Sequence, residues 1–119
     1  MKGGMGMLID SYRFGSIVID GKRYTSDVII YPDRVDADWW RKEGHQLHIE
    51  DLRTVLEEKP DVLVVGTGSP GLMRVPPATR DQLEAQGIEL IVEPTDRAWR
   101  TYNQMQGARR VIAAFHLTC

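Results

Sequence analysis

Hydrophobic and polar positions change their spacing partway along the chain. In 8-LIDSYRFGSIVIDGKRYTSDVIIY-31, short apolar runs alternate with polar ones, and Ile17-Val18-Ile19 and Val28-Ile29-Ile30 lie on either side of Asp20-Gly21. Runs of this kind around Asp-Gly predict an antiparallel hairpin, because both residues tolerate the left-handed backbone of a tight turn. The following 32-PDRVDADWWRKEGHQ-46 has no clean period and reads as irregular chain or an edge strand.

From residue 49 the spacing becomes helical. Ile49, Leu52, Val55 and Leu56 recur at three- and four-residue intervals, Glu50 and Asp51 stand in the first turn, and Lys59-Pro60 ends the segment. The run 62-VLVVG-66 is apolar at alternating and intervening positions alike, as in a strand covered on both faces. A helix is predicted over 77–87, with proline in its first turn and Gly87 as its stop, followed by a strand over 88–92. A further helix over 95–107 is expected to be capped by Thr95 and to bury Ala98, Trp99, Tyr102 and Met105; a strand over 110–117 closes the chain.

The fold class predicted is α/β. Residues 8–119 are expected to form a single layered domain with a mixed, mostly parallel central sheet, flanking helices and an antiparallel, β-rich N-terminal part. Residues 1–7, with three methionines and three glycines, are expected to be a flexible leader.

Composition narrows the classes of function. The chain has 119 residues and a formal net charge of −2, without the basic excess that phosphate neutralisation demands, so no nucleic-acid partner is expected. No apolar run approaches the roughly 20 residues of a membrane-spanning helix, and the first residues lack the apolar segment of a secretory signal. No membrane insertion is expected, and a cytoplasmic location is. One cysteine, Cys119, excludes an internal disulfide.

Several short motifs occur in a telling order: Phe14-Gly15, Asp20-Gly21, Tyr24, Asp27-Val28, Trp39, His48, Asp51-Leu52, Val65-Gly66-Thr67-Gly68, Gly87-Ile88, Thr95, Ala98, Tyr102-Asn103 and His116-Leu117-Thr118-Cys119. Over residues 8–119 the set resembles a small-domain family first filed as a domain of unknown function, which includes mitochondrial respiratory complex I assembly factor 3 and an adipogenesis-associated protein. The resemblance implies a layered α/β domain with a β-rich part beside a central sheet. It carries no catalytic residues across, and the opening residues do not read as the Arg- and Ser-rich transit peptide of the mitochondrial members, so an organellar role is not expected.

The most conspicuous candidate site is the loop Gly66-Thr67-Gly68-Ser69-Pro70-Gly71. A loop leaving the carboxyl end of a parallel strand has the usual ligand position in an α/β sheet, and Arg74 and Asn103 are the side chains expected to help hold an anion or polar metabolite. The segment does not run directly into a helix and has no Gly-Lys-Ser/Thr, so neither a dinucleotide fingerprint nor a phosphate loop is complete. No cofactor is expected. His45-x-x-His48 and His116-x-x-Cys119 offer ligand types for zinc only if the segments converge, and Cys119 with His116 would also need an orienting group and an oxyanion site on a poorly fixed chain terminus, so neither a metal nor a catalytic residue is assigned. In Trp39-Trp40, extended backbone sends neighbours to opposite faces, which makes Trp40 the expected partner-binding residue. Sequence therefore favours a non-catalytic protein-binding or assembly-accessory module with an unidentified protein partner. A small-molecule-binding protein or enzyme using Gly66–Ser69 is the alternative, and homo-oligomerisation stays open.

Overall fold

The computed structural model describes residues 7–119. The expected leader falls mostly on residues 1–6, outside the described residues; Met7 packs against the core, and its carbonyl accepts a hydrogen bond from the Tyr102 hydroxyl at 2.6 Å.

Strands β1 (Ile9–Arg13), β2 (Ser16–Ile19) and β3 (Lys22–Tyr24) form an antiparallel three-stranded sheet. Strands β4 (Val28–Ile30), β5 (Val35–Asp36), β6 (Val62–Thr67), β7 (Glu89–Glu93) and β8 (Val111–His116) form a second, five-stranded sheet in the order β5-β4-β8-β6-β7. A 3-10 turn (Ile49–Leu52) leads into α1 (Arg53–Glu58), and α2 (Pro77–Ala85) and α3 (Thr95–Met105) complete the fold.

Asp20-Gly21 does make a hairpin turn, with φ of 49° and 80° at the two residues, but the turn joins β2 to β3. Val28–Ile30 is the strand the sequence pattern had placed opposite β2. It instead enters the large sheet between β8 and β5. Burial explains the exchange: all three β4 residues are buried, which requires layers on both faces, whereas Lys22 and Arg23 are exposed and suit a rim.

The large sheet is mixed. β6 pairs in parallel with β7 and β8, while β4 pairs antiparallel with β8 and β5, so the parallel half occupies one side of the sheet. One face of it, through Val62, Val64, Val111, Ala113 and Phe115, packs on the small sheet and on Ala98 and Tyr102 of α3. The opposite face, through Leu63, Val65, Ile112 and Ala114, packs on Leu52, Val55 and Leu83 and on Trp39, Leu47 and Met73 of the connecting segments. All six residues of β6 and all six of β8 are buried, as strands between two covering layers must be. Helix α2 leads from β6 to β7 on one side, and α3 leads from β7 back to β8 on the other. The carboxyl end of β6 is therefore a topological switch point.

The predicted helix over 49–59 begins with the 3-10 turn and ends with Lys59 at φ 49° ahead of Pro60. Thr95 is the first residue of α3, not its cap, which is Pro94; its hydroxyl is used elsewhere.

Candidate functional site around the carboxyl ends of β6 and β8

The loop after β6 reaches the switch point, yet its amides turn inward. Gly68 N–H donates to the Thr95 hydroxyl at 2.8 Å, and Ser69 N–H donates to the Thr118 carbonyl at 3.0 Å. Thr95 in turn donates its hydroxyl to the His116 carbonyl at 2.6 Å, and its N–H bonds the Gly68 carbonyl at 3.0 Å. Thr67 Oγ1 donates to the Glu93 carbonyl at 3.2 Å, and Leu72 N–H to the Cys119 carbonyl at 3.1 Å. The loop thus knits β6, α3 and the C-terminal segment together. Close approach explains its glycines: a Cβ on Gly66 would stand 2.7 Å from Thr95 Oγ1, and one on Gly68 would stand 2.1 Å from the Thr118 carbonyl oxygen.

Beside the loop lies a buried charged cluster. Antiparallel pairing sets Val28 opposite Phe115, and one step further places Asp27 against His116. Asp27 Oδ2 lies 2.8 Å from His116 Nδ1 and 2.6 Å from an Arg41 guanidinium nitrogen, and Oδ1 accepts the Leu117 N–H at 2.8 Å. The Arg41 side chain is only 6% exposed; it donates twice to the Gly44 carbonyl and stacks 4.9 Å from the Trp39 ring centre. Burial pushes the Asp27 carboxyl up, but hydrogen bonds from His116, the Leu117 amide and Arg41, with the Arg41 charge, outweigh it and hold the carboxyl below its ordinary value. His116 Nδ1 faces both the Asp27 carboxylate at 2.8 Å and an Arg41 guanidinium nitrogen at 3.1 Å; among the described residues buried Nε2 has no hydrogen-bond partner. The His45 ring stands edge-on 5.8 Å away.

The expected site residues scatter around this cluster. Gly66–Ser69 border it, with the Gly68 Cβ position 2.8 Å from His116 Cδ2. Arg74 is exposed, and its backbone joins the His45–Leu47 segment. Asn103 is a structural clamp some way off: its amide oxygen takes the Ile9 N–H at 2.9 Å and its nitrogen donates to the Ile9 carbonyl at 2.7 Å. The two tryptophans divide as extended backbone dictates: Trp39 is buried and donates Nε1–H to the Asp51 carbonyl at 3.1 Å, while Trp40 is 79% exposed. His45 does approach His116, but His48 Nε2 turns to Glu43 at 3.5 Å, and among the described residues no three metal-ligating side chains gather. Cys119 is exposed.

Sequence reasoning missed the Asp27–Arg41–His116 cluster. Its members are far apart in the chain, and only the β4–β8 pairing brings the first and last together. It also missed that Phe14 and Leu72 are 61% and 50% exposed, alongside Trp40 at 79%. Each of the three neighbours a residue tied to the C-terminal segment: Gly15 N–H bonds the Leu117 carbonyl at 2.8 Å, Arg41 bonds His116, and Leu72 itself bonds Cys119. A separate cavity of about 340 Å³, lined by Asp61, Tyr102, Arg109 and Arg110 among others, lies at the opposite end of β8.

A family model described as a protein of unknown function (DUF498/DUF598) matches residues 9–116. The chain belongs to this family. A conserved hypothetical protein from Pyrococcus horikoshii OT3 shares 34% identity at a TM-score of 0.81, over 95% of this chain and 100% of that one. A protein from Bartonella henselae, described as an outer membrane protein, shares 25% identity at a TM-score of 0.77, over 98% of both chains. A Bordetella pertussis protein described as a Mth938-like domain, 23% identical at a TM-score of 0.72 over 93% of this chain and 85% of that one, shares the fold. For this member of the family, no helix among the described residues is long and apolar enough to cross a membrane.

Proposed function

We propose that this DUF498/DUF598 domain is a non-catalytic protein-binding module of the assembly-accessory kind, docking its partner through the exposed Trp40. The observation that carries the reading is the exposure of Trp40, 79%, between two residues whose side chains are anchored, Trp39 to the Asp51 carbonyl and Arg41 to Asp27. A large exposed indole is the kind of side chain that anchors an interface. The partner is a protein with an apolar pocket of indole size. A photo-crosslinking residue placed at Trp40, compared with one at Ala108 near the far end of β8, tests this in the native host. Position 40 is expected to give a discrete adduct that position 108 does not. Equal adducts at both positions, or none at position 40 in folded protein, would sink the reading.

A second reading has one observation in its favour, the buried Nε2 of His116 beside Gly68, unpartnered among the described residues. A small polar ligand held by that nitrogen and the Gly66–Ser69 loop, with Arg74 at the rim, would make the domain a metabolite-binding protein. At 100 times its Kd such a ligand stabilises by about 2.7 kcal/mol. A thermal-shift screen with phosphates, nucleotides and carboxylates checks this, and His116→Asn is the control. Gly68→Val cannot serve, because its side chain would meet the Thr118 carbonyl.

A further inference from the structure

The two sheets present four edges, and three of them are protected in recognisable ways. β5 is only two residues long. β3 is three residues long and carries Lys22 and Arg23. β1 has a bulge between Ile9 and Ser11, and the Asn103 amide occupies both the N–H and the carbonyl of Ile9. Short length, charge and bulges are the usual means by which sheets avoid adding a foreign strand. β7 is neither short nor bulged, and its only charges are a glutamate at each end. Its five residues, Glu89-Leu90-Ile91-Val92-Glu93, pair with β6 alone and in unbroken register, and they contain no lysine, proline or bulge. Not one of the five is fully buried, against six of six in β6.

We propose that the outer edge of β7 receives an extended segment of a partner protein with the pattern basic-apolar-any-apolar-basic. The pattern follows from the pleat. Leu90 and Val92 point to the α2 side, where they pack with the cluster of Leu83 and Ile88, and Ile91 points to the α3 side with Ala98 and Tyr102. Alternation puts Glu89 and Glu93 on the side of Ile91, one at each end. An added strand therefore meets two apolar side chains on one face and a carboxylate at each end of the other. Glu89 is 53% exposed and bonds Arg109 at 2.9 Å; Glu93 accepts from the Thr101 hydroxyl at 2.7 Å, so both carboxylates are held in place. The same charges act against a second copy of this chain. An antiparallel pair centred on Ile91 would set Glu89 opposite the partner copy's Glu93 twice, and like charges directly opposite are destabilising. Main-chain hydrogen bonds would supply affinity, and the terminal charges would choose the occupant.

The test is a backbone-amide NMR titration of the full chain with two capped peptides, Lys-Val-Thr-Val-Lys and its rearrangement Val-Lys-Thr-Lys-Val. Saturable shifts at the amides of 89–93 are expected with the first at about millimolar concentration, the weak regime proper to so short a strand. Binding of the second is expected to be at least tenfold weaker, since it places charge against Leu90 and Val92. The double variant Glu89→Lys, Glu93→Lys should exchange this preference for Glu-Val-Thr-Val-Glu. Shifts absent from 89–93, or equal with both peptides, would overturn the proposal. So would a dimer in sedimentation that Leu90→Lys dissociates, because the edge would then belong to a second copy. The wild-type titration decides the matter even if a variant fails to fold.

Discussion

Two glycines with similar backbone angles should respond differently to a methyl group. Gly87 has φ 79° and open space around its Cβ position, so Gly87→Ala is expected to cost only the left-handed strain, about 1–2 kcal/mol. Gly68 has φ 101° and a Cβ position 2.1 Å from the Thr118 oxygen, so strain and overpacking combine. Each term is typically 1–3 kcal/mol, and Gly68→Ala is expected to cost about 3 kcal/mol or more. Urea unfolding of the two variants checks the difference; equal costs would mean that the C-terminal segment gives way freely. At Asp27 the argument is electrostatic. Removing this carboxylate leaves the Arg41 side chain, 6% exposed, without its ion-pair partner. Asp27→Ala is therefore expected to destabilise by about 3–5 kcal/mol. A loss under about 1 kcal/mol would place this pair among ordinary surface ion pairs.

At the scale of elements, Thr95 fastens α3 to the ends of β6 and β8. Its fully buried hydroxyl accepts from Gly68 N–H and donates to the His116 carbonyl. Thr95→Val keeps the shape and leaves both backbone groups unsatisfied, at about 1–3 kcal/mol each, whereas Thr95→Ser keeps both bonds. The valine variant is expected to lose at least about 2 kcal/mol more than the serine variant by chemical denaturation, with faster amide exchange in the first turn of α3. The pattern of letters made the elements themselves legible, because each reports its own surroundings. β6 and β8 read as covered strands, and Gly87 and Lys59-Pro60 marked true helix ends. It misled where a local signal had two partners to choose from. Asp20-Gly21 specifies a turn but says nothing of which later run completes the hairpin. The polar Lys22–Tyr24 is a weak strand signal beside the apolar Val28–Ile30, and only the demand of β8 for a second neighbour takes β4 away. The role of Thr95 was hidden for the same reason, since its partners lie in the loop after β6 and at the end of β8.

For the whole molecule, the legible part of the candidate site was the position of the glycine loop and the division of Trp39 from Trp40; the charged cluster was not legible. Residues 27, 41 and 116 carry no shared spacing, and their meeting depends on an antiparallel pairing between the fourth strand and the last. Because that cluster joins β4, the Trp40 segment and the C-terminal segment, its charge state bears on global stability. The folded state holds the Asp27 carboxyl below its ordinary value, and the unfolded chain does not. Stability from Asp27 is therefore complete above the unfolded value of about 3.9 and is lost as pH falls through the lower, folded value. Asp27→Asn removes that term and leaves the other carboxylates as they are. The difference in unfolding free energy between wild type and Asp27→Asn is expected to stay level from pH 7 to about 5, then to narrow below pH 4 as the wild-type carboxylate takes up its proton. Equilibrium urea unfolding of both proteins across that range checks it. A gap that remained constant down to pH 2 would show that the asparagine acts through packing, and that the Asp27 charge contributes nothing to holding the Trp40 segment against β8.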